Sequence, residues 1–258
     1  MTDTAPSAWM PWTTPRWRVR ALVRPDGRTL DLMLALPQGE APAGGWPLVL
    51  ALDGDWFFAA LAGTAAALSR RTDKTGVEPM AIAGLAHRSE EGVLQDQRAL
   101  DFTRSACPEP TGPQQSGGGE AFHRLIADQV LPILAEGAPL NIERATLLGH
   151  SLGGLFVLET LQADPALFAR WVAISPSLWW STPSPEIATR DLLIGCGEAE
   201  TSRDMRNRMS AWVAAKPDGA RFKQVPAADH GSAPFALIPD VLRHASRPTP
   251  TRRDQCRP

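Results

Sequence analysis

The sequence predicts an α/β fold with a mainly parallel central sheet and helices on both faces, and three observations carry that expectation. Short, continuous apolar runs at residues 47–52, 80–85 and 192–196 read as strands buried on both faces, not as the alternating strands of a half-solvated sheet. Segments with apolar residues at helical spacing separate these runs, which calls for crossovers between parallel strands. The chain, 258 residues with 43% hydrophobic content, is long enough for one large core.

In chain order, residues 17–24 and 29–36 alternate in polarity around Pro25-Asp26-Gly27 and predict an opening hairpin. The run at 47–52 ends at Asp53-Gly54-Asp55, as a central strand entering a turn would, and 56–70 then predicts a helix. A second buried strand is expected at 80–85. Phe122, Leu125, Ile126, Val130, Ile133 and Leu134 mark a helix over 122–134. Strands follow at 144–148, 171–174, 192–196 and 221–225, with helices at 205–215 and 235–244. Two segments look irregular. Residues 104–119, rich in Pro, Gly and Gln, suit a rim over a site. Residues 247–258 read as a disordered Arg/Pro-rich tail, leaving 1–246 as one catalytic unit.

Composition excludes several classes. The net charge of −2 points to neither nucleic acid nor a membrane surface. No apolar run approaches the ~18 residues that span a bilayer, and residues 1–20 lack the apolar stretch of a secretory signal, so a cytoplasmic protein is expected. Cys107, Cys196 and Cys256 lack metal-type spacing, and Cys196 reads as a buried thiol. No metal and no cofactor are expected, and oligomeric state is left open. Nine tryptophans and no tyrosine are present, an imbalance without a physical account.

The most informative segment is Gly149-His150-Ser151-Leu152-Gly153, between a short apolar strand and an apolar helix. It fits G-x-S-x-G, the nucleophile elbow of α/β-hydrolases, in which a sharp turn thrusts the serine outward and leaves no room for side chains two positions to either side. A serine hydroxyl needs a base, and the chain order of that fold is Ser, acid, His. His87 and His123 precede Ser151, and His150 is expected to point away from it. Of the two histidines that follow, His244 reads as a surface residue of the closing helix beside arginines. His230, in a polar loop after the last strand, is the expected base. The acid should follow the penultimate strand, where Glu198 and Glu200 would share a face in extended chain. Glu200 is preferred, and a Ser-His dyad stays open. Two N–H donors must meet the tetrahedral intermediate: Leu152, after the nucleophile, and Asp55, where Gly54 would allow an unusual backbone.

Taken together, Leu52-Asp-Gly-Asp55, Arg98-Ala-Leu-Asp-Phe-Thr103, Gly117-Gly-Gly-Glu-Ala-Phe122, the elbow, Ile174-Ser-Pro-Ser-Leu-Trp-Trp180, Gly197-Glu-Ala-Glu200 and Asp229-His-Gly-Ser232 resemble the esterase D-like branch of α/β-hydrolases. The likeness is to its enterobactin-esterase type siderophore hydrolases, over residues 20–245. That resemblance implies hydrolysis of the ester bonds of a ferric or apo triserine-trilactone siderophore, releasing iron. It also supports Ser151 and His230 and puts Glu200 on the family's acid position. An anionic catecholate would want cations and flat aromatic faces. Arg88, Arg98 and Arg104, after the fourth strand, and Trp179 and Trp180, after the sixth, are the candidates, with an Arg98–Asp101 pair and a core tryptophan as the plainer alternatives. Other functions on the same fold are a general acyl-ester or thioester hydrolase acting on substrates such as S-formylglutathione, and a siderophore-binding protein without catalysis.

Overall fold

The computed structural model of the chain describes residues 14, 16–87, 95–187, 191–215 and 220–248. Strands β1 (Trp17–Val23), β2 (Thr29–Ala35), β3 (Trp46–Leu52), β4 (Ala81–His87), β5 (Leu140–His150), β6 (Arg170–Ile174), β7 (Leu192–Gly197) and β8 (Arg221–Val225) form an eight-stranded sheet ordered β1-β2-β4-β3-β5-β6-β7-β8. β2 is antiparallel to both of its neighbours, and the six strands from β3 onward run parallel. The expected antiparallel start and parallel continuation are therefore present.

The helices are α1 (Gly54–Leu68), α2 (Thr72–Thr75), α3 (Gln95–Phe102), α4 (Gly119–Leu125), α5 (Leu131–Gly137), α6 (Leu152–Ala163), α7 (Met205–Ala215), α8 (Ala233–Ala236) and α9 (Ile238–Ala245). Strand alternation divides the core in two. Leu48, Leu50 and Leu52 of β3 pack with Phe102, Phe122, Phe156 and Trp212 on one face, while Val49 and Ala51 pack with Phe57, Leu61 and Val241 on the other. Helices α1 and α9 thus cover one face, and α3 to α7 the other. Among the described residues no helix is long and apolar enough to cross a membrane.

Several features depart from expectation; β5 begins four residues early, at Leu140, and the helix expected over 235–244 is divided into α8 and α9. The helix expected over 122–134 begins at Gly119 and passes through a π-helical turn, Ile126–Val130, before α5. Pro132 lies in the first turn of α5, and a proline offers no N–H to the preceding turn, which the wider turn accommodates. Helix α3 has no apolar period to announce it, because its buried face includes Arg98 and Asp101 beside Ala99 and Phe102. His244 is a correction: it is fully buried in α9, where its Nε2 donates to the Asp191 carbonyl at 2.9 Å, and burial pushes its pKa down to about 4.

Candidate active site

Every parallel strand delivers its carboxyl end to the same edge of the sheet, the position where ligands meet open α/β sheets. Ser151 stands there between β5 and α6 with φ 58° and ψ −117°, a strained conformation for a residue with a side chain. Its N–H donates to the Ile174 carbonyl at 3.0 Å, which ties the turn to β6. The turn depends on Gly149: a Cβ there would lie 2.1 Å from the Gly153 carbonyl oxygen. Gly153 itself has ordinary room, its nearest neighbour being Asp53 Oδ2 at 3.5 Å, so the steric requirement falls on Gly149 and not on both glycines.

The loop after β8 carries His230 to this edge, where its Nδ1 lies 3.0 Å from Glu200 Oε2. Glu200 is 4% exposed, and its Oε1 accepts from the Gly197 N–H at 2.6 Å and from Ser175 Oγ at 2.5 Å. Burial alone would raise its pKa. The bonds from His230, Ser175 and Gly197 outweigh that cost and hold it below the ordinary carboxylate value. Glu198 does not share a face with Glu200, because the backbone turns after β7; its Oε2 accepts from the exposed Ala227 N–H at 3.4 Å. An ionised carboxylate on Nδ1 leaves Nε2 as the proton-accepting nitrogen of a neutral His230.

Two features of the Ser175-Pro176-Ser177 segment are not among the expectations from sequence. Ser175, at φ 44°, aims its hydroxyl at Glu200, and the Ser177 Oγ lies 3.3 Å from the Ser151 Oγ. The segment therefore touches both Ser151 and the acid Glu200. The available signal was the pair of serines flanking a proline directly after a buried strand.

The N–H groups of Asp55 and Leu152 belong to the first turns of α1 and α6, where backbone donors have no partner within the helix and the dipole favours negative charge. The unusual backbone is that of Asp53, at φ 53° and ψ 50°, and not that of Gly54. Gly54 is required by space, since a Cβ would sit 2.9 Å from the Gly84 backbone. Asp53 is held by Arg98, whose Nε and Nη2 donate to its two carboxylate oxygens at 2.7 and 2.9 Å.

That pairing corrects the placement of Arg98. It is 4% exposed and also donates to the His150 carbonyl at 3.2 Å, so its guanidinium is taken up inside the protein and is not presented to an anionic catecholate. Nor does it pair with Asp101, which binds Arg24 at 2.5 Å and His87 at 2.9 Å. Arg104 is engaged by Glu120 and His123. Arg88 lies outside the described residues, as does Cys256. Trp180 belongs to the core, with Nε1 bonded to the Ser105 carbonyl, whereas Trp179 is half-buried beneath the Arg203 guanidinium, 3.8 Å above its ring. Arg203 also binds Glu109 at 2.8 Å, joining the irregular segment to this edge. A cavity of about 220 Å³ beside His230 is lined by Glu200, Thr201, Ser202, Met205 and Asp229. Cys196 is buried in β7, with its thiol pushed up to about 11 by burial and by the nearby Glu200 charge.

The chain matches the family described as "Putative esterase" over residues 26–220. It belongs to that esterase family. Among its relatives, the ferri-bacillibactin esterase BesA of Bacillus subtilis is 34% identical over 180 residues, which cover 67% of this chain and 62% of that protein. The apo-salmochelin esterase of Escherichia coli is 30% identical over 160 residues, 59% of this chain and 48% of that one. The chain thus spans about half to three-fifths of the length of these curated relatives. Among solved structures, the BES protein from Bacillus cereus superposes with a TM-score of 0.83 at 23% identity, over 94% of this chain and 100% of that one. The enterobactin hydrolase IroE, in complex with DFP, gives 0.73 at 23% identity, over 90% and 95%. At that identity the likeness is one of fold, and the fold is the α/β-hydrolase fold.

Proposed function

We propose that this member of the esterase family is a serine esterase that hydrolyses the ester bonds of a catecholate trilactone siderophore in its ferric form. The observation that supports the reading is the bond from His230 Nδ1 to the buried Glu200, set at the sheet edge where strained Ser151 follows β5. In this reading Ser151 Oγ attacks the ester carbonyl while its proton passes to His230 Nε2. The N–H groups of Asp55 and Leu152 receive the oxyanion, and Glu200 stabilises the imidazolium. The tetrahedral intermediate then collapses: the ester C–O bond breaks, and the departing alkoxide takes the proton from His230. Water, deprotonated by the same histidine, cleaves the acyl-enzyme and restores Ser151.

The names of the relatives, which include a ferri-bacillibactin and an apo-salmochelin esterase, support the substrate class. Arg98 is committed to Asp53, so the cation that faces an anionic catecholate in this reading is Arg203, half exposed over the flat face of Trp179. A cytoplasmic setting belongs to the same proposal. The test is incubation of the protein with ferric enterobactin, apo-enterobactin, S-formylglutathione and a series of p-nitrophenyl acyl esters, followed by separation of products. The expected result is a kcat/KM for ferric enterobactin at least a hundredfold above that for the short esters. Faster turnover of S-formylglutathione or of the short esters would make the protein a general acyl hydrolase. Stoichiometric binding without cleavage of any substrate would make it a binding protein.

A further inference from the structure

The mechanism above leaves one buried titratable group at its centre unused. His150, the residue before the nucleophile, was expected to point away from the site. Its ring lies instead 4.5 Å, centroid to centroid, from the ring of His230. His150 Nε2 is 2.9 Å from the backbone carbonyl oxygen of His230. A carbonyl can only accept, so Nε2 carries the proton and His150 is the neutral Nε2–H tautomer. The ring is 5% exposed and meets Phe57 edge to face, 5.9 Å between centroids. It lines a small apolar cavity with Leu61, Leu148, Ile174, Pro234 and Ile238. Burial, then the charge of His230, pushes its pKa down to about 3, so His150 stays neutral when His230 takes up a proton.

The position of that bond is what matters. His230 sits in a loop whose other bonds fall on its neighbours: the Ala199 N–H bonds the Ala228 carbonyl, the Glu198 N–H bonds the Val225 carbonyl, the Ala233 N–H bonds the Asp229 carbonyl, and Asp229 and Ser232 bond each other. Glu200 fixes the rotation of the His230 ring through Nδ1, but it does not fix the backbone from which that ring hangs. His150 does, at His230 itself. Because His150 and Ser151 are consecutive, the bond joins the backbone of the base to the residue next to the nucleophile, with no intervening element to flex.

We propose that His150 is a positioning residue that sets the separation between Ser151 and His230 through its Nε2–H bond to the His230 carbonyl. The proposal rests on the reading of Ser151 as nucleophile and His230 as base. A displacement of about 1 Å between reacting groups can cost on the order of 100-fold in rate, so the effect belongs to kcat and not to substrate affinity.

The test compares His150→Phe, which keeps an aromatic ring in the pocket but has no donor, with His150→Gln, whose amide reaches the place of Nε2–H. Both are assayed for turnover of a p-nitrophenyl ester and of ferric enterobactin, and for the rate of inactivation by diisopropyl fluorophosphate. Expected is a fall in kcat of ten- to a hundredfold for His150→Phe on both substrates, KM within twofold, and inactivation slowed by the same factor. His150→Gln should recover kcat to within about threefold of the unmodified protein. A His150→Phe protein with kcat within twofold, or equal losses in the two variants, overturns the proposal. Should His150→Phe not fold, His150→Asn against His150→Gln decides, because asparagine presents its N–H at the place of Nδ1; equal kcat in that pair is again contradictory. Ser151→Ala and His230→Ala run alongside keep the two readings apart: if both retain turnover, the catalytic assignment fails first.

Discussion

The two edges of the parallel sheet are built from the same materials and differ in where the backbone is strained. Both edges bury polar side chains. At the amino edge His244 bonds the Asp191 carbonyl and Arg170 bonds the Arg247 carbonyl, while the half-buried Arg144 pairs with Glu78. At the carboxyl edge His150 bonds the His230 carbonyl and Arg98 pairs with Asp53. The two buried histidines even share a geometry, each donating from Nε2 at 2.9 Å, and burial lowers the pKa of both. Yet among the described residues every non-glycine with positive φ follows the carboxyl end of a parallel strand: Asp53 after β3, Ser151 after β5, Ser175 after β6, Arg203 and Asp204 after β7, and Ala227 after β8. At the amino edge positive φ falls on Gly39, Gly45 and Gly76, where it carries no steric cost. Such non-glycine residues cost of order 1–3 kcal/mol each and persist where the surroundings over-determine them. Burial and polarity do not distinguish the edges. Strain held by hydrogen bonds does.

The largest separation between the edges is expected from Glu200→Gln, which keeps shape but removes the charge that favours an imidazolium. kcat should fall roughly 10³-fold or more, in the range typical for loss of an orienting carboxylate. Glu198→Gln, on the exposed side of the same turn, should stay within about twofold. Steady-state kinetics on one ester compares the two, and mild effects from both would indicate a Ser-His dyad.

Arg98→Ala comes next. It leaves Asp53 buried without its partner, and breaking a buried pair typically costs about 3–5 kcal/mol. Because Asp53 precedes the proposed oxyanion donor, turnover of a neutral ester and of ferric enterobactin should fall by the same factor. A loss confined to the siderophore would return Arg98 to substrate recognition.

The smallest effect is expected at the amino edge and is one of stability alone. The His244 pKa is pushed below its ordinary 6.5 to about 4, so between those values the unfolded chain binds more protons than the folded one. Stability is therefore lost as pH falls from 6.5 toward 4, by about 3 kcal/mol from this residue. His244→Gln, which retains an N–H donor, should make urea unfolding less steeply pH-dependent across that window, and kcat at pH 8 should be unchanged. His150 titrates in the same direction, so some slope remains. An undiminished slope would mean that His244 is not the group responsible.

What was legible in the sequence follows the same division. Helix α7 and the exposed edge strand β8 keep their expected bounds. The apolar runs placed β3, β4 and β7, because burial on both faces writes itself into composition. Helix α3 did not, because Arg98 and Asp101 are satisfied by partners distant in sequence, Asp53 and Arg24, and no local period reveals such pairs. His244 looked like a surface residue beside Arg243 and Arg247 for the same reason: its partner, the Asp191 carbonyl, belongs to the loop before β7. At the carboxyl edge, the order of Ser151, Glu200 and His230 could be read from strand ends. The choice between Glu198 and Glu200 turned on a backbone turn after Gly197 that the sequence does not announce. The bonds of His150, Ser175 and Ser177 needed the folded chain, since each joins residues 25 to 80 positions apart.

The claim that the strained carboxyl edge carries a nucleophile is tested most directly by reaction with diisopropyl fluorophosphate, followed by intact-mass measurement and peptide mapping. Expected are a single covalent adduct on Ser151, none on Ser175 or Ser177, and loss of ester turnover in proportion to labelling. Undiminished turnover after complete reaction, or an adduct on another serine with Ser151 unmodified, would contradict it.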